Sequence, residues 1–306
     1  MLRHILMPIC LLIHLYIVAP AHAQAPQFDA DFFKQVSAEF KEKPQLVLWA
    51  DVKNLRTSSF YTSASNTITG LLHGALAQSK CLKKLTIADL DYAVMMASDL
   101  DSGKSERGYM AISGNLGATA LLKCLAAENK WTPTTLKNYP VYEEAGGTVK
   151  SYFYALGNDA IVVVAGDWAT KIDPGKNVFG AAKISGFAKS RIFAAQMDKA
   201  PKGAKLKSFS GEVKAATDLE FAGSIIFLKE KDAIDAQKQV DSAKQQGAGA
   251  GMTFANTLKV TRTKTRLDGT MKMTSAEFIV VVSLLNTALF GGSSPPPPTP
   301  SKKPIP

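Results

Sequence analysis

Side chains suited to nucleophilic catalysis or metal binding are scarce in this chain. Its 306 residues include four histidines and three cysteines. The histidines at positions 4, 14 and 22 fall in an apolar N-terminal stretch with the pattern of a signal peptide. His73, on a predicted helix, is then the one imidazole of the mature chain, and no sequence neighbour orients it as a base. The sequence therefore predicts no catalytic residue, no cofactor and no metal site.

Cys81 and Cys124 are the two cysteines outside that stretch. An exported chain folds in an oxidising compartment, where such a pair forms a disulfide worth about 3–4 kcal/mol in the chain-entropy model. The alternative is a pair of free thiols, because Cys124 lies in a predicted helix with a buried face. A free cysteine there is often a small core hydrophobe. The sequence leaves this choice open.

A cluster of cations gives the strongest charge signal. Arg262, Lys264 and Arg266 alternate with threonines, so on one strand the three cations share a face. Such a row could bind a polyanion such as an anionic polymer, and we keep this contact as one hypothesis. The alternative is the protection of a sheet edge, where lysine and arginine discourage aggregation.

Hydrolysis by paired carboxylates is the enzymatic alternative. It requires two acids that face each other in a cleft. The candidates are Asp89, Asp91, Glu143 and Glu144. The sequence gives no reason to pair any two of them, so a non-enzymatic function is favoured.

Residues 1–23 have the three parts of an export signal. Arg3 supplies a positive start, an apolar run follows, and Ala21 and Ala23 fit the small-residue rule of signal peptidase. The run is shorter than the roughly 20 residues that span a bilayer. We therefore expect cleavage after Ala23, a periplasmic or secreted protein, and no membrane span in the mature chain.

Hydrophobic periodicity predicts strands interleaved with helices along the mature chain. In the first half the predicted strands are 45–52, 85–98, 107–115, 139–144, 148–156 and 160–165, and the helices are 28–43, 57–79 and 117–129. In the second half the strands are 191–198, 206–217, 219–228, 257–266 and 268–274, and the helices are 231–246 and 275–290. Asp268-Gly269 is a typical hairpin turn and places the last turn there.

The order of these elements indicates one unit present twice. We expect an α+β fold of two related units of antiparallel sheet, each with helices packed on one face. The first unit covers residues 24–185 and includes an inserted helix, and the second, shorter unit covers 186–290. The proline-rich residues 291–306 are expected to form a disordered, extended tail.

Charge and hydropathy divide the chain unevenly. Residues 24–170 hold 14 basic and 15 acidic side chains, whereas residues 171–306 hold 21 basic and 11 acidic ones. The predicted helix 275–290 is apolar on nearly every side, yet its apolar part is too short to cross a membrane. Such a helix is either buried or covers a partner, and self-association through it is one expectation.

The segment Val47-Leu48-Trp49-Ala50-Asp51-Val52, followed by Lys53-Asn54-Leu55-Arg56-Thr57-Ser58, resembles a group of uncharacterised exported bacterial proteins. The runs 191–198 and 224–235 are similar to the same group. The resemblance implies export and a two-part α+β fold, and it carries no activity, cofactor or catalytic residue.

The predicted function is an exported, non-enzymatic binding or scaffold protein of the bacterial envelope. Its partner is an envelope protein or an anionic polymer, without a specific nucleic-acid motif. Two alternatives remain open. One is a lipid or small-molecule carrier with an apolar groove, and the other is the hydrolase with an acidic pair.

Overall fold

A computed structural model describes residues 44–100, 107–144, 149–174, 191–249 and 251–290. The predicted signal peptide, the predicted helix 28–43 and the predicted tail 291–306 lie outside these residues. The described part of the chain forms strands and helices in alternation, as the sequence predicts.

Twelve described strands form one sheet in which every neighbouring pair is antiparallel. The strand order is β11-β12-β10-β9-β8-β1-β2-β3-β7-β6-β5-β4. The strands are β1 Leu46–Asp51, β2 Tyr92–Ser98, β3 Arg107–Ser113, β4 Thr132–Leu136, β5 Tyr139–Glu143, β6 Ser151–Leu156, β7 Ala160–Ala165, β8 Arg191–Met197, β9 Leu206–Ala215, β10 Leu219–Phe227, β11 Lys259–Thr263 and β12 Arg266–Met273.

Seven α-helices lie in the same described residues. They are α1 Val52–Arg56, α2 Ser59–Leu76, α3 Ala118–Asn129, α4 Trp168–Lys171, α5 Glu230–Gly249, α6 Phe254–Thr257 and α7 Ser275–Phe290. Two short 3-10 turns, Leu82–Lys84 and Ile87–Asp89, connect α2 to β2. The predicted α+β class is confirmed.

The two halves of the chain meet in the middle of the sheet. Strand β1 lies between β2 and β8, and Leu48 faces Met95 on one side and Ala195 on the other. We call β1–β7 the first half of the sheet and β8–β12 the second half. The halves therefore share one continuous sheet, a point that the sequence leaves undecided. Their descent from one duplicated unit stays a prediction.

Most helices cover one face of the sheet, which we call the helix face. Phe60 of α2 packs there with Leu48, Phe193 and Val213. On the first half, Leu122 of α3 belongs to a second cluster on the same face. The face assignment follows from the register, because directly opposite residues of neighbouring strands point to the same side.

The opposite face of the first half carries an aromatic core. Trp49, Tyr109, Tyr154 and Trp168 are at most 2% exposed within this cluster. Trp168 belongs to α4, which is a single helical turn on this face. The prediction of helices on one face alone is therefore too simple, since α4 closes the aromatic core from the other side.

The predicted turn of the last hairpin is wrong. The turn lies at Lys264 and Thr265, and Asp268-Gly269 is part of β12. Buried and partly buried residues alternate along β12, so strand periodicity outweighs the local turn preference of Asp-Gly. Asp268 is also fixed in the strand by Arg266, whose Nε lies 2.7 Å from its Oδ1.

Candidate functional site

A polar cleft of about 290 Å³ lies where β1 ends and α2 begins. It opens between the α1–α2 connection and the turn that joins β9 to β10. Its lining consists of Asn54, Thr57, Ser58, Ser59, Ala215, Ala216 and Thr217. Hydroxyl, amide and backbone groups therefore dominate the cleft, which suits a small polar ligand better than an apolar one.

Ser58 fixes the first turn of α2 against the sheet. Its Oγ accepts a hydrogen bond from the Tyr61 N–H at 3.1 Å and donates to the Leu55 carbonyl at 2.7 Å. Ser58 is thus an N-cap, which satisfies a helix N–H that would otherwise lack a partner. The Phe60 N–H also donates to the Ala216 carbonyl at 2.8 Å, so the helix start is tied to the second half of the sheet.

Two aspartates lie beside this cleft at the end of β1 and the start of β2. Asp51 accepts the Asn54 N–H at 2.6 Å and caps α1, whereas Asp91 forms an ion pair with Arg56. Burial raises the pKa of Asp51, and the negative charge of Asp91 adds to this rise. Burial and both carboxylates also raise the pKa of Tyr92. The arrangement holds Asp91 against a cation and leaves Asp51 easier to protonate.

The acids predicted for a hydrolase are dispersed and hold local structure. Asp89 accepts both the N–H and the hydroxyl of Thr86 at 2.8 Å. Glu143 accepts a hydrogen bond from Lys150 Nζ at 2.8 Å. This ion pair lies at β5, in the outer part of the first half of the sheet. Asp51 interacts electrostatically with Asp91, and sequence reasoning did not include Asp51 among the candidate acids. Its signal was the Asp-x-x-Asn spacing of a helix cap.

A buried ion pair connects the cleft region to β8 and β9. The Arg191 guanidinium lies 2.5 Å from Glu212, whose side chain is 8% exposed, and Lys214 Nζ lies 3.1 Å from the same carboxylate. The side-chain amide of Asn54 donates to the Arg191 carbonyl at 2.9 Å. These contacts join α1 in the first half to the first two strands of the second half.

The structure pairs Cys81 with Cys124 in a disulfide. Their Cα atoms are 5.8 Å apart, within the range usual for such bonds. Ser79 Oγ and the Lys80 N–H both donate to Glu128 at the end of α3, and the Ser79 bond, followed by the Lys80 bond, lowers the pKa of Glu128. The α2–β2 connection is therefore fastened to α3 covalently and by hydrogen bonds.

His73 lies on the exposed side of α2. Within the described ranges, no group of three or more histidine, cysteine, aspartate or glutamate side chains is arranged to hold a metal ion. None of the described helices has the length and apolar content needed to cross a membrane.

The three predicted cations do not share one strand face. Lys264 lies in the turn, while Arg262 and Arg266 lie on neighbouring strands and point to opposite faces. Arg262 forms an ion pair with Glu230 of α5 at 2.9 Å, and Arg266 pairs with Asp268. The predicted single row is wrong because the hairpin turns earlier. Contact of these cations with a polyanion stays a prediction.

The start of α7 is clamped by one carboxylate. Glu277 accepts the Thr274 N–H at 2.9 Å and the Phe254 N–H at 2.5 Å, and it also accepts the Thr253 hydroxyl. Burial raises its pKa, but these hydrogen bonds outweigh burial, and the pKa lies below its ordinary value. The clamp joins α6 to α7 and sets the direction of α7 across the helix face.

The chain shows only weak similarity to known proteins, and this similarity is in structure. No protein-family model matches the chain, and no curated protein shows significant similarity to it. The solved crystal forms I and III of TP0453 are similar in structure, with TM-scores of 0.39 and 0.43 and 10% sequence identity. They cover 79% and 78% of this chain and 94% of the TP0453 chain. Scores at this level carry no argument about function, and the resemblance to exported bacterial proteins stays a prediction.

Proposed function

We propose that this chain is an exported, non-enzymatic binding or scaffold protein of the bacterial envelope. The Cys81–Cys124 disulfide supports the export part, because such bonds persist in oxidising compartments. The predicted signal peptide agrees with it. The mature protein is then periplasmic or secreted after cleavage at Ala23.

The exposed apolar side of helix α7 is the observation that supports the proposed binding function. Phe278 packs edge-to-face on Phe60 of α2, with ring centroids 5.4 Å apart, and Val281 joins the same core. On the other side of the helix, Val280 is 50% exposed, which is one of the two highest values among the large apolar side chains described. Val280 lies on an apolar helix that is clamped at its start, and no described residue covers this side chain fully, so the helix offers an association surface there.

The occupant that we propose for this surface is a second copy of the chain. Glu277 is the one charged residue between Ser275 and Phe290, and the clamp uses it. A partner surface must therefore be apolar and uncharged to avoid burying an unpaired charge. The same helix of another copy meets this requirement and would cover both Val280 side chains in a twofold pair.

The test is the subunit count of the purified mature protein by native mass spectrometry over a range of concentrations. We expect a dimer for the wild type and a monomer for Val280→Asp. Gln245→Asp, an exposed site on α5, is the matched control and should remain a dimer. A wild-type monomer at every concentration would overturn self-association through α7.

The carrier and hydrolase alternatives predict different results in the same experiment. A carrier should retain a lipid or small molecule of defined added mass, whereas the described cleft at Ser58 has a polar lining. A hydrolase should lose an activity when Asp51 or Asp91 is replaced.

A further inference from the structure

Strand β11 is one of the two outer strands of the described sheet. Thr263 of β11 and Arg266 of β12 face each other across the two-residue turn. Residues that close such a turn form a hydrogen-bonded pair. This pair fixes which backbone groups of β11 point toward β12, because bonded and non-bonded pairs alternate along an antiparallel ladder.

The alternation makes Val260 and Arg262 the non-bonded positions. Their N–H and C=O groups point away from β12 toward the outer side of the sheet. Within the described ranges, these four backbone groups have no hydrogen-bond partner. A row of this kind is a template for one more strand.

The other outer strand, β4, lacks this template. It closes on β5 through a two-residue turn, so Leu136 and Tyr139 form the bonded pair. By the same alternation, the outward positions of β4 are Pro133 and Thr135. Pro133 has no N–H, and proline is a common means of protecting a sheet edge. One edge is therefore blocked and the other is open.

Charge defines the partner of the open edge. Lys259 begins β11 and Lys264 lies in the turn at its other end, and both are exposed. Neither forms an ion pair among the described residues. Arg262, by contrast, is engaged by Glu230 and by Gln237 at 3.1 Å. The edge thus presents two available cations, one at each end of its free backbone groups.

We propose that the edge of β11 binds an extended, acidic segment of a partner protein as an added strand. Backbone hydrogen bonds to Val260 and Arg262 would supply the binding, and acidic side chains near Lys259 and Lys264 would supply the selectivity. The inference rests on the proposed binding function and names one partner chemistry for it. The surface is separate from the outer side of α7.

The direct test is titration of the mature protein with a capped peptide of sequence Glu-Val-Thr-Val-Thr-Val-Glu, followed by fluorescence anisotropy. Two peptides serve as controls: one has lysine in place of both glutamates, and one has proline in place of the central valine and of the threonine that follows it. We expect the acidic peptide to bind most tightly of the three. Its affinity should decrease when the salt concentration is raised from about 50 mM to about 500 mM. The proline peptide should bind much more weakly, because two neighbouring prolines remove a central N–H donor in either register of the added strand.

Two variants locate the site. Val260→Pro removes an outward N–H and should weaken binding of the acidic peptide at least tenfold. Thr135→Pro makes the matched change on β4 and should leave binding unchanged. If circular dichroism shows that Val260→Pro does not fold, the double variant Lys259→Glu/Lys264→Glu decides, because it leaves the backbone intact and should reverse the peptide preference.

The inference is overturned by several results. These are no binding of the acidic peptide, equal binding of the proline peptide, a folded Val260→Pro protein that binds like the wild type, or an unchanged preference in the double variant. Equal binding of the proline peptide would indicate a general polyanion site. The proposed function has its own readout, since Val280→Asp tests self-association independently of the peptide.

Discussion

The two halves of the sheet meet where β1 pairs with β8, but their outer strands differ. The first half ends in β4, whose outward positions include Pro133, and its helix α3 carries one cysteine of the disulfide. The second half ends in β11, whose outward backbone groups have no partner among the described residues. The first half is therefore closed by Pro133 and fastened by the disulfide, whereas the second half carries the two surfaces that we propose for association.

The aromatic core follows the same division. On the face opposite the helices, the first half buries Trp49, Tyr109 and Tyr154. On the same face, the second half has smaller or polar residues next to Trp49. Ala194 of β8 faces Trp49 across the ladder, and Glu212 of β9 faces Ala194. Large aromatic side chains bury more apolar area than alanine, so on this face the first half makes the larger contribution to core stabilisation.

The largest expected effect is loss of the disulfide. Replacing both Cys81 and Cys124 with serine opens a loop with a sequence separation of 43 residues. The chain-entropy model then predicts a loss of about 4 kcal/mol in the free energy of unfolding. Urea unfolding followed by tryptophan fluorescence measures it, because Trp131 stacks on Phe153 in the same cluster and contributes to the signal.

We expect this loss of stability to be confined to the first half of the sheet. Hydrogen exchange of the double-serine variant should increase in α3 and in the α2–β2 connection and remain unchanged in β9 and β10. An equal increase in both halves would contradict the view that the disulfide fastens the first half alone.

The second effect concerns the buried ion pair at the junction. Glu212→Gln leaves the Arg191 guanidinium, with a side chain 13% exposed, without its carboxylate. We expect a loss of about 3 kcal/mol, because removing one partner of a buried ion pair is strongly destabilising. Equilibrium unfolding in urea gives the value. Glu220→Gln, which breaks the exposed pair with Lys272, is the matched control and should cost far less, because solvent screens exposed ion pairs. Equal losses in the two variants would contradict the assignment of Arg191–Glu212 as the junction contact.

A smaller effect is expected at the α7 clamp of the second half. Glu277→Gln removes a carboxylate that caps α7, and loss of such a cap costs about 1 kcal/mol at neutral pH. The pKa of Glu277 is lowered in the folded protein, so its contribution is present above the ordinary value of 4.5 and is lost as pH falls through the folded pKa. Urea unfolding of both proteins between about pH 3 and about pH 7 should show the curves converging at low pH. A constant difference would show that the charge is not the cause.

The smallest effect is expected at Asp51. Burial raises its pKa, so the folded protein gains stability as pH falls through the folded pKa, and the charged form is unfavourable at neutral pH. Asp51→Asn keeps an oxygen that accepts the Asn54 N–H and should leave stability at neutral pH equal or slightly higher. Thermal unfolding at neutral and acidic pH measures this. A clear loss at neutral pH would mean that the carboxylate charge stabilises α1.

The sequence predicted the element order well, because strand and helix periodicities are long and unambiguous in runs such as 45–52 and 117–129. The sequence placed the last turn wrongly. Asp268-Gly269 has a local preference for a turn, but the pairing of β12 with β10, in which Gly269 faces Gly223, keeps both residues in the strand. It did not predict β4, whose Thr132-Pro133-Thr134-Thr135 run has the composition of a loop.

The candidate sites were harder to predict than the fold. The pairing of Cys81 with Cys124 depends on the distance between two elements, which no local pattern encodes. The electrostatic interaction of Asp51 with Asp91 likewise arises from the pairing of β1 with β2, because Asp51 faces Tyr92 across the ladder. The open edge is a consequence of strand order alone, and strand order is a property of the whole chain.

The most direct test of the central claim is hydrogen exchange of the mature protein with and without the acidic peptide, read by mass spectrometry with residue-level fragmentation. Binding as an added strand predicts slower exchange at the outward amides of Val260 and Arg262, with no change at Thr135 on β4. Protection on β4, or unchanged exchange on β11 with the peptide bound, would contradict the distinction between a closed first half and an open second half.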